Sequence, residues 1–173
     1  MQHKRCDWCS TDPLYLHYHD HEWGVVVRDP ALLFRQLCLE GQQAGLAWIT
    51  VLKKRAHYDR HFFDLGIKAI ATLSDEQLLE KQQDTHLIRH LGKLQAIRSN
   101  AQAWLILSEQ HAPSTWLWQF IETYADPHIA SQQMAKQLKT RGFKFVGPTI
   151  CYAFMQAVGM INDHQPQCFL YQQ

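Results

Sequence analysis

The sequence has no apolar run approaching the ~18 residues that a bilayer-spanning helix needs, and its first residues, MQHKRCDWCS, lack the apolar core of a secretory leader. Both absences point to a cytosolic protein and away from the membrane. Glycine (8) and proline (6) are few among 173 residues, and alternating polar and apolar runs are scarce. A sandwich or barrel of strands is therefore disfavoured, and the expected class is all-α. Net charge is only +1, so no broad field draws the chain to nucleic acid. Such binding has to come from local basic faces, such as Lys53-Lys54-Arg55 or Lys136, Lys139, Arg141 and Lys144. Five cysteines, an odd number, argue in a cytosolic chain against a disulfide framework and for metal ligation or burial. Apolar residues are plentiful at 46%, with 12% aromatic, enough for the core of one compact unit.

The stretch CLEGQQAGLAWITVLKKR, Cys38 to Arg55, combines an acid, a glycine-punctuated polar turn, a tryptophan and a basic run. As ordinary structure, Asp29-Pro30 caps a helix. Leu33, Phe34, Leu37 and Cys38 form its buried stripe, Gly41 stops it, and a second helix begins near Ala47 with Lys53 to Arg55 at its solvated end. Glu40 is then an exposed carboxylate set against the negative end of the helix dipole. That unfavourable placement is the reason to expect a functional role for it.

Cys6 and Cys9 lie in a Cys-x-x-Cys spacing, followed by His17, His19 and His21. Near the other end, His164 and Cys168 are four residues apart. Two thiolates and two imidazoles suit a closed tetrahedral zinc site that ties the two ends together. Spacing alone does not choose between Cys6 and Cys9, or among the three histidines.

Helical patterns fill the rest. Ser74 with Gln77 is a capping box, Leu94, Ile97, Ala101, Trp104 and Leu105 mark an amphipathic helix, and Pro113 opens another through Trp116, Leu117, Phe120 and Ile121. From Met134 to Gly159 the pattern is helix, glycine-bounded hairpin, helix, with Gly142 as a C-terminal stop and Pro148 in the next first turn. Amides at such a helix start suit a phosphate, with Lys144 and Arg141 nearby.

These segments resemble the DNA-3-methyladenine glycosylase I family of the helix-hairpin-helix glycosylases over nearly the whole chain. The likeness is carried by RCDW, DPLYLHYHDHEWG, LCLEGQQAGLAWITVLKKR, IRHLGKLQAI, LKTRGFKFVGPTICYAFMQAVG and NDH with a following cysteine. It implies an all-α helix-hairpin-helix glycosylase fold as a single unit over 1–173, with the motif near 134–159. It also implies a zinc clip joining 6–19 to 164–168 through Cys6, His19, His164 and Cys168. Cys9 departs from the family pattern.

The resemblance further implies a pocket in which Glu40 is the catalytic acid group and Tyr18, Trp48, Trp8 and Trp23 hold the base. Leu46, beside Gly45, is the wedge into the duplex, and Gly142, Lys144 and Gly147 grip backbone phosphate, with a monovalent cation on the hairpin. The implied partner is double-stranded alkylated DNA with a flipped 3-methyladenine, bound by a monomer in the cytoplasm. Pro148 and Thr149 follow Gly147 where lyase-active relatives carry lysine, so the expected enzyme is a monofunctional hydrolase. Asp163 is expected to orient His164 or cap a turn. The rivals are a non-catalytic zinc-stapled DNA-binding module, which has no need of Glu40, and a small-molecule nucleoside hydrolase, which has no need of the basic hairpin.

Overall fold

The computed structural model describes residues 4–171, and among them every regular element is helical. In order these are α1 (Pro13–His21), α2 (Pro30–Gln43), α3 (Trp48–His61), a 3-10 turn (Phe63–Leu65), α4 (Ile67–Ala71), α5 (Asp75–Gln82), α6 (Leu91–Gln110), α7 (Pro113–Thr123), α8 (Pro127–Thr140) and α9 (Pro148–Ala157). No helix among the described residues is long and apolar enough to cross a membrane.

Three helices begin on one device. Asp12, Asp29 and Asp126 each accept a bond from a first-turn amide, and each precedes a proline at the position where no amide hydrogen is needed. Ser74 and Gln77 make both bonds of the expected capping box. The α8 helix starts seven residues before the Met134 at which the motif was expected to begin, because Asp126-Pro127 is the true start.

Helix α2 is the hub, packed on α3, α6, α7 and α9. Its stripe of Leu33, Phe34, Leu37, Cys38 and Leu39 is fully buried. Gly41 does not stop it, contrary to expectation: the helix runs on to Gln43, and the turn comes at Ala44 and Gly45, where φ reaches +77°. Gly41 instead lets α2 touch the 141–147 hairpin, since a Cβ there would stand 3.2 Å from both Cβ and O of Phe145. Nor do Lys53, Lys54 and Arg55 end a helix. They lie mid-α3, where Lys53 pairs with Asp12 at 2.7 Å, Lys54 bonds the Thr85 carbonyl at 2.8 Å and Arg55 pairs with Glu22.

The extended segment 24–28 threads past the end of α9, with Val27 bonded to the Val158 carbonyl and capped by Trp118. Gly159 makes this crossing possible. It sits at φ +73°, and an added Cβ would lie 2.7 Å from backbone atoms of Gly24, Val25 and Val26. Gly159→Ala is expected to cost at least ~3 kcal/mol in urea denaturation, because strain at positive φ adds to a clash with main chain that cannot rotate away.

Candidate active site

Helices α1, α2, α3 and α9 border an open cavity of about 170 Å³ lined by Trp8, Tyr15, Tyr18, Trp23, Glu40, Gln43, Trp48, Ala153 and Gln156. An empty space of ~150 Å³ takes one benzene ring, so this cavity is on the scale of a single planar base. All five residues singled out for the pocket line it. Tyr15, Gln43, Ala153 and Gln156 were not foreseen.

Glu40 comes from the last turn of α2 and is 2% exposed. Gln36, one turn earlier, donates to its Oε1 at 2.7 Å. Burial pushes the carboxyl up to about 8, a rise that the Gln36 bond opposes but does not cancel. The exposed helix-end carboxylate of the ordinary reading is therefore excluded. Tyr18 and Trp48 pack at 5.5 Å between centroids across the cavity, and Trp8 meets Trp23 edge-on at 4.9 Å. The Trp48 indole nitrogen is buried without a hydrogen-bond partner.

The turn after α2 is braced from beneath. Buried Lys93 of α6 donates to the carbonyls of Gln42 (2.8 Å) and Ala44 (2.7 Å), while Gln42 bonds the Lys93 carbonyl and receives the Tyr58 hydroxyl. Above this brace Leu46 projects, 40% exposed. Lys93→Met is expected to cost about 2 kcal/mol by leaving two carbonyls without their charged donor. It is also expected to loosen the tip, as faster amide hydrogen exchange from Ala44 to Leu46 would record.

The chain ends meet behind the aromatic wall. Ligand atoms of Cys6, His19 and Cys168 lie within 4.8 Å of one another, all buried. Between the alternatives that spacing left open, Cys6 and His19 converge here, whereas His17 and His21 are exposed and the Cys9 thiol turns to the Ser10 and Tyr15 carbonyls. His164 lies outside that tight trio but beside it, its ring 5.4 Å from His19. Its Nδ1 is held by Asn162 at 2.8 Å, and its buried Nε2 has no partner. His19 Nδ1 is fixed by Asp20 at 2.8 Å, itself held by Arg5. An orphaned imidazole nitrogen, two thiols accepting amides from Gln165 and Leu170, and a carboxylate-oriented histidine fit the donor set and outer contacts of zinc. Asp163 does not orient His164; it accepts bonds from Tyr152 and Gln156 of α9. The Cys/His cluster and the cavity share a wall, since Trp8 packs on His19 at 5.2 Å and Trp23 on His164 at 4.6 Å.

The hairpin departs from expectation in detail. Gly142, at φ +92°, and Lys144 both spend their amides internally, on the Lys139 carbonyl and on Asn100 Oδ1 at 2.7 Å. Among the described residues, Phe145, Val146, Gly147, Thr149 and Ile150 have amides with no intrachain acceptor. The open donors thus sit at the start of α9, one step beyond Gly142 and Lys144. Arg141 is engaged with Gln137 and lies over Trp116 at 4.8 Å, so it does not reach toward that end. A groove of about 320 Å³ lined by Pro148, Thr149 and Tyr152 shares Ala153 and Gln156 with the base-sized cavity.

The sequence model of the methyladenine glycosylase family matches residues 8–171. The chain belongs to that family. DNA-3-methyladenine glycosylase 1 of Escherichia coli (strain K12) is 45% identical over 183 residues, covering 97% of each chain. A crystal structure of 3-methyladenine DNA glycosylase I superposes with a TM-score of 0.93 at 48% identity, covering 98% of this chain and all of that one. The Staphylococcus aureus enzyme, solved to explain 3-methyladenine recognition, gives a TM-score of 0.88 at 32% identity, covering 95% and 94%. The all-helical architecture is that of this glycosylase family.

Proposed function

We propose that the chain is a base-excision repair glycosylase that hydrolyses the N-glycosidic bond of 3-methyladenine in alkylated double-stranded DNA, without a lyase step. The observation that carries this reading is the buried Glu40, raised to about 8, in the wall of an aromatic cavity the size of one base.

The base turns out of the duplex and stacks among Tyr18, Trp48, Trp8 and Trp23. Methylation at N3 makes it a cation, which electron-rich rings attract. Glu40 discriminates by charge. With the cavity empty, burial favours its neutral form. A cationic base supplies the missing counter-charge and draws out the carboxylate, whereas normal adenine does not. Cleavage needs no proton from the protein, because the C1′–N9 electron pair passes to a ring that is already positive and leaves neutral. Water then forms the new bond to C1′. The protein's part is to hold the base and sugar in line for that exchange.

Leu46 on its Lys93-braced turn fills the gap left in the duplex. Backbone phosphate meets the open amides from Phe145 to Ile150 at the start of α9, with the Lys144 side chain adding charge. The groove from Pro148 to Gln156 gives the strand a continuous path to the cavity. A monovalent cation can join phosphate to the hairpin through the Gly142 and Phe143 carbonyls, which have no intrachain donor among the described residues. Cys6, His19, His164 and Cys168 would hold a structural Zn²⁺, which supplies a cross-link between the ends and no chemistry at the scissile bond. We read the enzyme as a cytoplasmic monomer.

Incubation with methylated duplex DNA tests the proposal. Free 3-methyladenine should appear in the supernatant while the strands stay uncut until heated or treated with base. Binding to the duplex without release of any base would favour the non-catalytic module instead.

A further inference from the structure

On the outer side of α3, away from the cavity, three histidines gather around one carboxylate. His57 and His61 are four residues apart on one face of α3, a spacing at which two imidazoles project side by side. Asp84 and His86 reach them from the loop between α5 and α6. Asp84 Oδ2 is 2.7 Å from His61 Nε2 and 4.0 Å from His57 Nδ1, while its Oδ1 meets His86 Nδ1 at 2.9 Å. The His57 and His86 rings stack at 4.2 Å and 4°. Nothing in the excision chemistry uses this cluster.

We propose that His57, Asp84 and His86 form a second metal site, distinct from the terminal clip, for a first-row divalent transition ion such as Zn²⁺. One donor atom from each of the three lies within 4.8 Å of the others. Nitrogen and oxygen donors at ~2.1 Å around a tetrahedral ion stand ~3.4 Å apart, so the site closes by about an ångström or so on binding. His57 and Asp84 are half-buried and His86 is exposed, so their rings and carboxylate are free to rotate by that much. His61 acts from outside, its bond to Asp84 orienting the carboxylate as outer contacts do at imidazole–carboxylate metal sites. Nitrogen and oxygen donors without thiolate select zinc, nickel or copper over calcium or magnesium. Two cations lie close by. Lys54 is anchored on the Thr85 carbonyl, and Arg60 approaches His57 at 3.0 Å but is exposed and can swing into solvent. The bound ion would tie the third turn of α3 to the loop leading into α6, bracing from behind the two helices that carry Trp48 and Lys93.

The test is equilibrium dialysis of the zinc-loaded protein against graded free Zn²⁺, with bound zinc counted by atomic emission, for wild type, His57→Gln/His86→Gln and His61→Gln. Wild type is expected to bind one zinc per chain more than the double variant and to melt at a higher temperature as zinc rises. The double variant should keep wild-type base release and circular dichroism. His61→Gln is expected to bind the extra ion about 10- to 100-fold more weakly. Equal zinc counts for wild type and the folded double variant across the titration would overturn the site. Asp84 would then be no more than a carboxylate shared by three histidines. Because the count is a difference between folded proteins, it is independent of whether either releases 3-methyladenine.

Discussion

Glu40→Gln is expected to melt higher than wild type at about pH 9, by on the order of 10 °C, and at the same temperature near pH 4. The sign follows from the protons. Folding raises the Glu40 carboxyl to about 8, so between the usual carboxylate range and pH 8 the native state holds a proton that the unfolded chain has released. Stability therefore falls as pH rises through that window, and above pH 8 the whole cost of about 5 kcal/mol is present. Glutamine keeps the shape and the contact with Gln36 but never has to ionise. A comparison at each pH isolates this one group, since every other titration is common to both proteins. Equal melting temperatures across the range would mean that Glu40 is solvated in solution. The chain thus tolerates a destabilising acid at the one place where a cationic base would neutralise it, as a site selected for function rather than stability does.

The second large effect is expected at the Cys/His cluster where the chain ends meet. His164→Ala removes the orphaned imidazole and is expected to lower zinc content and to cost about 4 kcal/mol, on the order of 10 °C in melting temperature. A strong chelator should act alike on the wild type. The damage is directional. Trp8 and Trp23 rest on His19 and His164, so their emission should shift to the red and base release should fall. Unchanged emission and melting after chelation would mean that the ends are held by packing alone, without a metal.

Much of this was legible from local signals. Asp29-Pro30 and the stripe from Leu33 to Cys38 defined α2, and the poor dipole placement of Glu40 flagged it before its burial was known. Asp12-Pro13 and Asp126-Pro127 carry the same start signal for α1 and α8. Lys93 and Asn100 stand with Leu94, Ile97 and Trp104 on the buried face of α6. A lysine and an asparagine on a buried face are a signal that both have internal partners. Other features had no local trace. Asn100 takes the Lys144 amide from 44 residues away, which moved the open donors to α9. Cys6 and Cys9 differ only in where the chain's far end arrives. Gly41 resembled a helix stop because its close neighbour, Phe145, is remote in sequence.

Whether Glu40 meets the methylated base is tested most directly by single-turnover release of 3-methyladenine from methylated duplex DNA, with wild type and folded Glu40→Gln run side by side. The expected result is release by the wild type and a loss of about 10²- to 10³-fold in the variant, the size of removing one preorganised electrostatic group. A folded Glu40→Gln protein that releases the base at the wild-type rate would contradict it.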